Sequence, residues 1–186
     1  MGFSCAFHVV NVHSPEVARC FNKLDYLGIS IMVVGSTFSW IYYGFYCEFW
    51  TKCFYAVVLI TLGVISAVIS LGEKFATPDY RPLRAYVFIA FGLFGVLPAI
   101  HFFAKHGFTN EAVTHSSFRW EISMAALYII GALLYAARFP ERFFPGTCDI
   151  FLQSHQIFHF CVIFGALCHY KGITNISEYR LRTTNC

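Results

Sequence analysis

The chain has 186 residues, of which 58% are hydrophobic and only 12% charged, with a mean hydropathy of +0.60 and a formal net charge of +3. Soluble domains carry about 25% charged residues, so this composition points to a protein that lives in a bilayer. The small net charge and the lack of any basic run argue against nucleic acid as a partner.

The first thirteen residues, "MGFSCAFHVVNVH", read as the last turns of an apolar helix. About ten helical residues reach only ~15 Å, half of a ~30 Å hydrocarbon core. Either this stub does not span, or the chain is N-terminally incomplete; the second is the expectation. The stretch has no basic start and is too short in apolar residues for a secretory signal. Five longer segments then qualify as membrane spans: Gly28–Cys47, Cys53–Leu71, Ala85–Phe103, Trp120–Ala137 and Ile150–Tyr170. The fold class expected is therefore all-α, a polytopic transmembrane bundle of five full spans plus a helix stub. Residues 1–186 form one transmembrane domain, with no separate soluble domain and no repeat.

Polar stretches such as "GEKFATPDYRPLR" and "RFPERFFPGTCD" connect the spans. Alternation assigns Arg19, Lys23, Lys74, Arg81, Arg84, Arg138 and Arg142 to one side of the membrane. Lys52, Lys105, Arg119, Lys171, Arg180 and Arg182 fall on the other. The slight excess leans toward the first side being cytoplasmic. Trp40, Tyr42, Tyr43, Tyr46 and Trp50 read as an aromatic belt on the opposite side. Pro98 is placed to kink the third span. Cys5, Cys161 and Cys168 lie in apolar runs as buried thiols, whereas Cys47 and Cys53 flank a short turn across which a disulfide could close.

Ionisable residues at membrane depth are costly and mark function. In "SHQIFH", His155 and His159 stand one helical turn apart on one face. Such a pair can hold a metal, hold a proton or simply pack. His8 sits at the end of the stub on the first side and Asp25 at the entrance of the first full span on that side, so by alternation three stretches bring His, His, His and Asp to one depth. Three neutral imidazoles with an open fourth position suit a catalytic zinc, which acidifies water and polarises a carbonyl. Asp25 is placed to handle the proton, and Ser4, four residues before His8, faces the same pocket. Taken singly, Asp25 reads as a helix cap, Ser4 as bonded to its own helix backbone and His8 as an interfacial residue. His101 and His169 lie near the other side and His13, His106 and His115 in loops, so none receives a site role.

The set "SCAFH", "KLDYLGIS", "FATPDYRPLRA", "YAARFPERFFPG" and "SHQIFH" resembles the progestin and adipoQ receptor family, most closely the adiponectin receptors. That resemblance implies a seven-helix membrane protein with a cytoplasmic N-terminus, of which this chain would match the last part. It implies that His8, His155 and His159 are zinc ligands, that Asp25 reaches the zinc through water, and that Ser4 lines the pocket. It further implies zinc-dependent hydrolysis of ceramide to sphingosine and a fatty acid, stimulated by an adiponectin-type protein ligand, in lipid and energy-homeostasis signalling. The plasma membrane is the expected location, with an endomembrane as the alternative. The family's N-terminal domain, first helix and most of its second have no counterpart here. A competing expectation is thus a non-catalytic membrane adaptor or receptor fragment with structural zinc, Asp25 being a direct fourth ligand, or with no metal. A proton-coupled transporter would need polar groups continuing across the membrane, and the middle of each span is apolar. A bis-histidine haem has no sequence feature in its favour. Phe88, Phe91, Tyr128 and Tyr135 are the residues expected to line a cavity for the lipid tails.

Overall fold

The computed structural model describes residues 1–73, 80–107, 117–148 and 150–182, so Lys74 and His115 lie outside the described residues. The chain divides into two compact units, Met1–Lys105 and His106–Cys186. Every regular element among the described residues is helical. Among the described residues, five helices are long and apolar enough to cross a membrane: Pro15–Gly44, Phe49–Leu71, Tyr86–His106, Arg119–Ala137 and Ser154–Arg182.

In the first unit, α1 (Gly2–Val10) and α2 (Pro15–Gly44) are joined by a short turn. Ser14 is extended and its side chain accepts the Val17 N–H at 3.2 Å, while Pro15 takes the first helical position. That is an efficient helix start, because Ser satisfies an orphan donor and Pro has none to lose. The expected start at Gly28 is thereby corrected by thirteen residues. A 30-residue helix is about 45 Å long, so its polar first turns project beyond a ~30 Å core. Asp25 consequently lies inside α2 and caps nothing.

Helix α3 (Phe49–Leu71) packs on α2 with Gly63 at the contact. A Cβ there would stand 2.6 Å from Val34 Cγ2, so only glycine allows this approach. The Ser30 and Ser66 hydroxyls meet at 2.8 Å in the buried interface. The third span is broken at Phe94–Gly95 into α4 (Arg81–Leu93) and α5 (Val96–His106). The break falls four residues before Pro98, where the missing N–H and the ring both deny an α-helical bond to Phe94. His106 ends α5 and is not a loop residue.

Trp40, Phe45, Phe91, Phe94 and Phe102 are buried and form the aromatic core of this unit. Trp40 therefore leaves the expected belt and packs edge-on against Phe45 and Phe102. Phe91 is likewise core and not an open cavity wall. Trp50 remains 82% exposed, and Lys52 caps the Tyr42 ring at 4.6 Å. Cys53 has a free thiol, so it does not pair with Cys47. Cys5 is exposed and Cys161 and Cys168 are half-buried, contrary to their reading as buried thiols.

In the second unit, α6 (Arg119–Ala137) and α7 (Ser154–Arg182) pack along their length. Gly165 makes the approach possible, since a Cβ there would lie 2.4 Å from Tyr128 Cε1. Arg138 closes α6 in the left-handed conformation, φ 52°. The last span begins at Ser154 and not at Ile150, and it continues past Tyr170 to Arg182. Hydropathy marks only the part of a helix that hydrocarbon covers, and both long helices extend beyond it.

Candidate functional site

In the first unit, the turn between α1 and α2 folds them against each other and brings Ser4 to Asp25. Ser4 is buried and its Oγ–H donates to Asp25 Oδ2 at 3.3 Å. The serine hydroxyl thus serves the carboxylate and not its own helix backbone. His8 stands one turn after Ser4 in the last turn of α1, exposed, with its ring 5.0 Å from that of Phe7. A basic side chain at a helix C-terminus is favourably placed against the helix dipole. Nearby, Lys23 bonds Glu73, and this hydrogen bond together with the lysine charge holds the Glu73 carboxyl below its usual range.

In the second unit, the first two turns of α7 carry the histidine pair. His155 Nε2 and His159 Nε2 are 3.2 Å apart, with their rings edge-on at 80°. Both rings are half-buried, and Tyr135 of α6 packs on His155 with centroids 5.3 Å apart. The start of α7 is fastened by Glu141, whose carboxylate accepts the Ser154 N–H at 2.8 Å and the Ser154 Oγ–H at 2.5 Å. These bonds hold the Glu141 carboxyl below its usual range. A cavity of about 450 Å³ opens beside the pair, lined by Tyr135, Arg138, Glu141, Gln153, Ser154 and His155 among others.

Two nitrogens bound to one tetrahedral zinc at 2.0–2.1 Å stand roughly 3.3–3.4 Å apart. The His155–His159 spacing fits that edge, and two neutral imidazoles are the donor chemistry zinc prefers. Ser4 and Asp25 are together in one unit, His155 and His159 in the other.

Two further polar pairs carry no role in the sequence reading. Tyr55 OH and His101 Nδ1 meet at 2.9 Å in the first unit. In the second, His169 Nδ1 is 3.0 Å from both carboxylate oxygens of Glu121, and both side chains are largely buried. Among the described residues, Ser117 Oγ, Trp120 Nε1 and Glu121 Oε1 itself are buried without a hydrogen-bond partner. The partners in each pair are more than 40 residues apart, so no local spacing announces them. An acidic residue inside an apolar span, Glu121, is the one signal that could have.

The haemolysin-III-related family model matches residues 1–170. The chain belongs to that family. It is 50% identical to the adiponectin receptor protein of Drosophila melanogaster over 186 residues, all of this chain and 42% of that protein. It is 48% identical to the progestin and adipoQ receptor-like protein 1 of Caenorhabditis elegans over 181 residues, 97% of this chain and 42% of that protein. The ADIPOR-like receptor IZH2 of Saccharomyces cerevisiae is 41% identical over 175 residues, 94% of this chain and 55% of that protein. The chain thus spans about half the length of these relatives. Family membership and five apolar helices together make it a multi-pass integral membrane protein of the adiponectin and progestin receptor family.

Proposed function

We propose that this chain carries the zinc hydrolase site of an adiponectin-receptor-like membrane protein, with His8, His155 and His159 as ligands, and that the site cleaves the amide of a ceramide-like lipid. The observation that carries the reading is the 3.2 Å separation of His155 Nε2 and His159 Nε2, close to the roughly 3.3–3.4 Å edge of a tetrahedral zinc shell. When bound, zinc supplies Lewis-acid activation of a water and a carbonyl.

The chain's own residues do the rest. Asp25 takes up the proton released as water attacks, the role of a general base. Ser4 Oγ–H engages Oδ2 of that carboxylate, so proton uptake falls to Oδ1. The amine that leaves then collects a proton from the same carboxylate. Hydrocarbon around the spans brings the lipid's tails to the site without a water crossing. An adiponectin-like protein is the stimulating ligand, and the plasma membrane the place of action.

Fatty-acid release from ceramide by the purified chain in lipid nanodiscs tests this. Removal of zinc with a chelator should abolish release and zinc should restore it. Asp25→Asn should lower the rate by roughly 10²–10⁴-fold, the usual worth of a general base, while the protein keeps its zinc. Release that is unchanged by Asp25→Asn or by chelation would contradict the proposal.

A further inference from the structure

Helix α7 begins only one residue before His155, and a helix's first N–H groups have no partner within it. A ligand in that position inherits whatever disorder the helix start has. Gln153, the residue preceding the helix, is a poor N-cap type, and Ser, Thr, Asn or Asp would ordinarily stand there.

The protein supplies one substitute for the cap and one tie on the segment leading into the helix. Glu141, thirteen residues upstream, accepts both the Ser154 N–H and the Ser154 Oγ–H. Gln156 reaches back, its Oε1 accepting the Leu152 N–H and its Nε2–H donating to the Ile150 carbonyl, each at 2.8 Å. Between them Leu152 is held in the left-handed region at φ 63°, a conformation that a branched residue keeps only when its surroundings force it. An anion at a helix N-terminus is also favoured by the helix dipole. The two Glu141 bonds fall on Ser154, the residue before His155, and Glu141 and His155 line the same cavity.

We propose that Glu141 is a positioning residue for the histidine pair: it fixes the first turn of α7 so that His155 faces His159 before any metal arrives. The inference rests on the zinc reading above, but it is a statement about the zinc-free chain as well. Outer-shell groups that orient ligands are typically worth 10–100-fold in metal affinity.

The test compares the full chain with its Glu141→Ala and Glu141→Gln variants in nanodiscs. Zinc affinity is read by competition with a chelator, and amide hydrogen exchange is read in the zinc-free protein. Glu141→Ala should weaken zinc binding by about 10–100-fold and accelerate exchange at residues 154–159 while α6 keeps its protection. Glu141→Gln leaves an acceptor oxygen for the Ser154 N–H and should recover most of both. Zinc affinity within twofold of the parent's in Glu141→Ala would overturn the inference. So would equal loss of protection in α6 and α7, or a Gln variant as poor as the Ala one. A parent chain that takes up no zinc would sink the zinc reading instead. The exchange arm would then decide alone, and unchanged protection at 154–159 would refute the role of Glu141.

Discussion

At the start of α7 an imidazole faces an imidazole, His155 against His159 at 3.2 Å; fourteen residues later His169 faces the Glu121 carboxylate at 3.0 Å. The two places are about 21 Å apart on one helix and use the same residue type. A histidine beside a carboxylate has a donor and an acceptor facing each other, as His169 Nδ1 and Glu121 Oε2 do. Two histidines share at most one proton between facing nitrogens, and two imidazolium ions there would repel. A divalent cation accepts both lone pairs at once. The partner chemistry, not the histidine, separates a place that holds the helices together from a place that can bind something.

Breaking each end should therefore give different symptoms. The largest effect is expected from His155→Ala/His159→Ala, which should reduce bound zinc, measured by elemental analysis of the purified protein, from near one per chain to background. Thermal unfolding should move little. His169→Leu should do the reverse. It leaves a largely buried carboxylate unpaired, at about 3 kcal/mol, the lower range for breaking a buried pair, while zinc content stays at the parent level. Adding Glu121→Leu should restore much of that stability, since an apolar pair needs no counter-charge.

Gly165→Ala probes the packing between the two ends. Its Cβ would meet the Tyr128 ring at 2.4 Å, and overpacking of this kind costs roughly 1–3 kcal/mol. Denaturation in mixed micelles should register the loss, and a larger residue at 165 should deepen it. Acid should produce the smallest effect. Glu141 has a depressed pKa in the folded chain, so its contribution is complete above the ordinary glutamate value of 4.5 and fades as pH falls through the lower folded value. Protection at residues 154–157, relative to the intrinsic exchange rate at each pH, should fall over that acidic window, and Glu141→Gln should remove this change.

Much of this was readable from the chain. The five apolar runs gave the spans, and the four-residue step from His155 to His159 is a helical turn in any context. Pro98 announced a kink in the third span, which falls one turn upstream of it, at Phe94–Gly95. What could not be read is of two physical kinds. The ends of α2 and α7 are polar turns that stand outside hydrocarbon, so hydropathy hides them; this is why Asp25 looked like a cap when Ser14 is the cap. The second kind is pairing between distant stretches: Ser4 with Asp25, Glu141 with Ser154, Glu121 with His169. Each is set by which helix faces which, and the aromatic pattern misled for the same reason, Trp40 turning inward from its expected place in the belt.

The central claim is that three imidazoles hold one zinc ion. X-ray absorption at the zinc K-edge of the purified chain addresses it most directly. The account predicts one bound zinc with an imidazole shell of three nitrogens at 2.0–2.1 Å, reduced to two in His8→Ala. A protein that retains no zinc, or a shell of two imidazoles unchanged by His8→Ala, would contradict it.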